Sequence, residues 1–212
     1  MKISNSTGLT AEILENGAVG WFDAAPVMIS LRRASVYSGA YAGVWLRIRG
    51  DKIMFRPLTG PGSCSRFRAD GDSFYASGTW EGIAFECCLN LSGKSLSWEW
   101  RIALRNGSGR DVELDLVCMQ DAGLKTSSSD PANEYYVSQY TERRILDDPA
   151  HGKVVLCRQN MQESVGNPWL MIASGGRAAS ACTDGMQFYG RSHRATGIPE
   201  GLQAGSLGGE YA

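Results

Sequence analysis

Breaking a glycosidic bond takes carboxyl groups on both sides of it, and five acids are candidates for such work: Asp121, Glu134, Asp147, Asp148 and Asp184. Asp147-Asp148-Pro149 reads as a turn before a strand and Asp184-Gly185 as a hairpin tip, so both have structural readings beside the chemical one. Glu134, between Asn133 and the Tyr135-Tyr136 pair, is the acid least readily explained by a turn. It lies in Asp130 to Asn160, where an otherwise repetitive pattern becomes polar and aromatic, with Tyr140, Gln139, Glu142, Arg143 and Arg144 close together. Such hydrogen-bonding groups and flat rings suit either a sugar-lined surface or a joint between domains.

Other chemistries find less support. The two histidines, His151 and His193, stand without a GxSxG elbow or a Cys/His signature, so a nucleophilic triad is disfavoured. Their spacing and that of the six cysteines match no zinc pattern. The cysteines read as small thiols rather than a disulfide framework, and adjacent Cys87 and Cys88 should point to opposite faces of one strand.

The elements that would position these groups are strands. Leu9 to Trp21 carries the turn Glu15-Asn16-Gly17 between apolar runs, a hairpin signal. In Val44 to Arg49, Val44, Leu46 and Ile48 alternate with Trp45, Arg47 and Arg49, which predicts one dry and one wet face. Strands are predicted at Arg66 to Ala69, Phe74 to Glu81, Ile83 to Leu91, Leu96 to Arg105 and Val112 to Met119, joined by short turns such as Ser92-Gly93-Lys94. After the polar stretch, strands follow at Lys153 to Arg158, Trp169 to Ser174, Ala178 to Cys182 and Gln187 to Tyr189, and a surface segment starts at Ile198. Without a sustained 3.6-residue stripe, the pattern predicts an all-β protein: a large antiparallel sandwich of two sheets in a single domain, residues 1–212.

With 43% apolar and 20% charged residues and a formal charge of -1, the chain has no basic field for nucleic acid or an anionic membrane. It has no run of about 18 apolar residues for a membrane span and no signal-peptide pattern, and it reads as cytoplasmic.

The run NEYYVSQYTERRILDDPAHGKVVLCRQN, followed by NPWLMIASGG and CTDGMQFYGRSHRATGIPEGL, resembles the N-terminal region of glycoside hydrolase family 94 proteins. The likeness is to the 1,2-β-oligoglucan phosphorylases and the related part of cyclic β-1,2-glucan synthases. The spacings N-E-x-Y-x-S-Q-Y, D-D-P and R-Q-N occur together, and weaker similarity reaches back through VWLRIRGDKIMFRPLTG to QDAGL. The resemblance implies a galactose-mutarotase-like super-sandwich that precedes a helical linker and an (α/α)6-barrel. In such enzymes a barrel acid protonates the departing oxygen while inorganic phosphate, the co-substrate, attacks the anomeric carbon. That machinery belongs to regions absent here, so no catalytic residue, metal ligand or cofactor is assigned, and the sandwich is expected to continue past the C-terminus. The expected role is a non-catalytic N-terminal domain for assembly, oligomer contacts and substrate access; the alternative is a freestanding carbohydrate-binding module for β-glucans. The implied partners are the missing barrel, a second copy of the chain and a β-glucan oligosaccharide. Candidate binding residues are Asn133, Glu134, Tyr136, Gln139, Tyr140, Arg143, Arg158 and Gln159, and Asp130 to Asn160 is the expected contact segment.

Overall fold

Period-two alternation produces the strands of two facing layers in the computed structural model, which describes residues 1–37, 41–126 and 134–210. The first sheet has the order β1 (Lys2–Ser4), β2 (Leu9–Ile13), β3 (Val19–Ala24), β4 (Val27–Met28) and β12 (Lys125–Thr126). The predicted hairpin joins β2 to β3 through Gly17, whose φ of 77° and contact with the Phe67 ring leave no room for a side chain. A second sheet has the order β10 (Trp98–Asn106), β9 (Ile83–Leu91), β8 (Ser73–Trp80) and β7 (Arg66–Asp70). The third is β11 (Glu113–Gln120), β5 (Ala42–Arg49) and β6 (Met54–Pro57), and the fourth β13 (Thr141–Asp148), β14 (Gly152–Gln159) and β15 (Trp169–Ile172). Every strand pairing is antiparallel.

The layers follow from what one face of the β7–β10 sheet touches. Phe74, Leu89 and Leu91 pack with Ile3, Leu9, Ile13 and Phe22 of the first sheet, and Cys157, Val155 and Leu170 of the fourth sheet join that core. Farther along the same face, Ala76, Ile83, Phe85 and Cys87 pack with Val44, Leu46 and Ile48 of β5. The structure is thus the expected all-β sandwich, with one four-stranded sheet opposed to the other three. Trp98 stacks on Phe22 at 4.7 Å between ring centroids. Cys87 is buried while Cys88, on the opposite face, is only half-buried, and all six cysteines are free thiols.

Several expectations are corrected. The second face of β5 is not wet: Arg47 is 4% exposed, and Trp45 packs with Val117, Phe188 and Leu202 in a further core. The cover is the C-terminal segment expected at the surface, whose 3-10 turn Glu200–Leu202 docks Leu202 at 1% exposure. Residues Gln187 to Tyr189 form not a strand but part of α2 (Gly185–Tyr189). Asp184 is its N-cap, accepting bonds from the Met186 and Gln187 amides at 2.8 and 3.3 Å. Ala178 to Cys182 makes only an isolated parallel bridge between Ala178 and Gly152. The remaining helices are α1 (Glu134–Gln139) and α3 (His193–Thr196). Among the described residues no helix is long and apolar enough to cross a membrane.

Candidate functional site

The contact stretch supplies α1, β13 and β14, and register sorts its side chains onto two faces. Thr141, Arg143 and Ile145 lie opposite Gln159, Cys157 and Val155 on the face toward the core. Glu142, Arg144 and Leu146 lie opposite Arg158, Leu156 and Val154 on the other face. The β14–β15 pairing extends that second face, placing Trp169 beside Arg158 and Met171 beside Leu156.

The predicted binding residues therefore do not form one cluster. Tyr136 and Tyr140 do meet: both are exposed, their rings stand edge to face at 5.0 Å, and the Tyr140 hydroxyl donates to that of Tyr136 at 3.1 Å. That hydrogen bond, with the nearby Tyr136 charge, raises the Tyr140 hydroxyl above its ordinary pKa. Gln139 is exposed beside them at the end of α1. Gln159 is fully buried; its Nε2 donates to the carbonyls of Gly123 at 3.0 Å and Val137 at 3.4 Å, which ties β14 to the end of β11's following loop and to α1. Arg143 is half-buried on the core side and donates to the Thr141 carbonyl at 2.9 Å. Arg158 stands on the outer sheet face, exposed. Glu134 opens α1, and Asn133 lies outside the described residues.

The four aspartates named from sequence already have partners. Asp121 accepts from the Arg32 amide at 2.8 Å, and Asp147 pairs with the Lys153 ammonium at 2.7 Å. Asp148 accepts from the amides of Ala150 and His151 at 2.9 and 2.8 Å, which holds its carboxyl below the usual range. Burial pushes the Asp121 carboxyl up to about 7, against the opposing pull of the Arg32 and Leu31 amides. His151 bonds the Ser174 carbonyl at 2.7 Å, and His193 stands edge-on to Tyr189. Among the described residues no group of three His, Cys, Asp or Glu could hold a metal.

Two open depressions mark the surface. One of about 560 Å³ lies at the β9–β10 hairpin, beside Asn90, Lys94 and Glu99. The other, about 290 Å³, lies on the outer face of the first sheet, where Glu12 and Asp23 flank Trp21. There the Arg33 guanidinium already covers the Trp21 ring at 4.4 Å. Trp169 is different: its side chain is 70% exposed. Sequence reasoning passed over Trp169 and did not single out Glu142 for binding. The turn at Asp148-Pro149 signals only the β13–β14 hairpin, which sets Glu142 opposite Arg158; Trp169 joins that row through the pairing of β14 with β15.

Residues 12–212 match the family model described as the SOGP N-terminal domain. The chain belongs to this family. It is also 24% identical over 210 residues to a protein of Listeria innocua serovar 6a named 1,2-beta-oligoglucan phosphorylase. That alignment takes in 98% of this chain but 18% of the relative's length. The chain is accordingly a phosphorylase-like N-terminal domain, which agrees with the resemblance carried by its 133–160 run.

Proposed function

We propose that the chain is the non-catalytic N-terminal part of a β-glucan phosphorylase-like, carbohydrate-active protein of the cytoplasm, working in domain assembly, oligomer contacts and substrate access. The observation that carries this reading is the unequal coverage of the Listeria relative, nearly all of this chain against less than a fifth of that protein. In this reading an (α/α)6-barrel supplies the general acid and the phosphate site, and inorganic phosphate is the co-substrate. The structural engagement of Asp121, Asp147, Asp148 and Asp184 supports it, since none of these is a free carboxyl poised over a cleft. The test is to incubate the purified chain with inorganic phosphate and a β-1,2-glucan. No glucose 1-phosphate is expected, and turnover would overturn the non-catalytic assignment. Light scattering over a concentration series tests the oligomer contacts, and a monomer throughout would remove that part.

A second reading, a freestanding carbohydrate-binding module for β-glucans, is favoured by one observation: an uncovered tryptophan in one cross-strand row with an arginine and a carboxylate.

A further inference from the structure

The outer face of β13–β14–β15 has a composition that neither a core nor an ordinary solvated strand calls for. Glu142, Arg158 and Trp169 form one row across three strands, and directly opposed side chains in such a row stand about 5 Å apart. Two residues past Arg158 in the chain, the Asn160 backbone amide donates to the Tyr140 carbonyl at 2.8 Å. Two residues past Glu142 on β13, Arg144 donates to Glu142 at 3.0 Å. The Arg144 bond, then one from the Asn160 side chain, then the Arg144 and Arg158 charges keep the Glu142 carboxyl below its ordinary pKa, so it is a pure acceptor at neutral pH. Among the described residues no hydrogen bond engages the Arg158 guanidinium, which leaves its donors open to a ligand.

We propose that this face binds a β-linked glucan chain, one sugar ring lying on the Trp169 indole while Arg158 and Glu142 bond its hydroxyl groups. The equatorial hydroxyls of a β-glucosyl ring leave an apolar face of axial C–H bonds, which an exposed indole can cover. The hydroxyls around its rim need donors and acceptors together, and the row has both: guanidinium and indole N–H groups, and a carboxylate. Leu146 and Met171 add exposed apolar area to the same face, but Arg158, Arg144 and Glu142 stand among them, which sets the face apart from the charge-depleted centre of a protein interface. The ligand class rests on the reading of the chain as part of a glucan-handling protein; the location of the site does not.

The test is calorimetric titration of the full chain with β-1,2-linked and, separately, β-1,4-linked glucose oligomers, with NMR of the tryptophan indole N–H signals alongside. Saturable binding that shifts the Trp169 indole signal is expected, weakened about tenfold or more in Trp169→Ala and in Arg158→Ala, a loss of about 1.4 kcal/mol or more. Both residues are exposed, so melting temperatures should be unchanged and a loss of binding is not a loss of fold. No heat at millimolar ligand, or unchanged affinity in both variants, would overturn the proposal. So would a Trp169 signal that moves with protein concentration and not with glucan, which would mark a self-association surface. Binding of the β-1,4 chain alone through Trp169 would support the surface and count against a β-1,2-glucan protein. Phosphorolysis by the chain would count against the non-catalytic reading without touching the Trp169 result.

Discussion

Arg47 and Asp115 meet fork to fork, Nε to Oδ1 at 2.6 Å and Nη2 to Oδ2 at 2.7 Å, from directly opposed positions on β5 and β11. The remaining Nη1 donates to the Ala204 and Leu202 carbonyls at 2.7 and 3.3 Å. This guanidinium, helped by Arg49, which donates to the Gly205 carbonyl at 2.9 Å, pins the C-terminal segment to the third sheet. Arg47→Ala should destabilise the chain by about 2 kcal/mol or more, since it leaves two carbonyls without their donor and Asp115 with Arg49 alone. Denaturant unfolding reads this directly. Arg47→Lys should recover only part of the loss, because an ammonium cannot make the bidentate pair. An unaltered midpoint in Arg47→Ala would show that the clamp is dispensable.

Two aspartates should pull stability in opposite directions with pH. Burial pushes the Asp115 carboxyl upward, but hydrogen bonds and charge from Arg47 and Arg49 outweigh it and hold the pKa below its ordinary 3.8. Its contribution is present above that value and lost as pH falls through the lower folded-state pKa. Asp121 is raised from 3.8 to about 7, first by burial, so between these values the folded state keeps a proton that the unfolded chain has released. Stability from this group falls as pH rises across that window. Asp121→Asn keeps an acceptor for the Arg32 amide, and it should stabilise the chain more at pH 8 than at pH 4 in melting experiments. Equal shifts at the two pH values would contradict the assignment.

The C-terminal dock should be sensitive to small changes in volume. Leu202→Ala should cost about 2–5 kcal/mol, given its 1% exposure among Val117 and Phe188. A Cβ on Gly201 would fall 2.5 Å from Cδ2 of Phe188, so Gly201→Ala should also loosen the dock. Hydrogen exchange of the 198–207 amides is the measurement, and wild-type protection in both variants would refute the docking energetics.

Thiol reactivity should separate the cysteines. Burial first, then the neighbouring Cys88 and Cys118, pushes the Cys87 thiol up to about 12, whereas Cys64 is exposed. A disulfide reagent at pH 8 should modify Cys64 in the native chain and reach Cys87 only after unfolding, as read by mass spectrometry of the peptides. Equal labelling would mean that the β9 core opens readily.

Much of this architecture was readable from alternation alone. In β9 every second residue from Ile83 to Leu91 is buried, and in β10 Trp98, Trp100 and Ile102 alternate with the exposed Glu99, Arg101 and Ala103, so there the pattern in the chain is the pattern in space. The wet reading of β5 failed because Arg47 is polar and yet satisfied by residues more than 150 positions later, a pairing that no local window contains. Residues 187–189 failed for a different reason: the capping carboxylate of Asp184 outweighed the β-propensity of Phe188 and Tyr189. At the candidate site, composition marked the right stretch but not the face. TERRILDD shows no clean alternation, and only the pairing of β13 with β14 and β15 separates Arg143 from Arg158 and brings in Trp169.

The Arg47 clamp also sets an order of events during synthesis. Its carbonyl partners lie 155 and 157 residues downstream, so the guanidinium stays without them until residues 202 and 204 have been made. Hairpins such as β8–β9 and β9–β10 can close as they emerge, since their contacts are local. Completion of the third sheet's second face is instead a long-range step that waits for the Leu202 and Ala204 carbonyls to arrive.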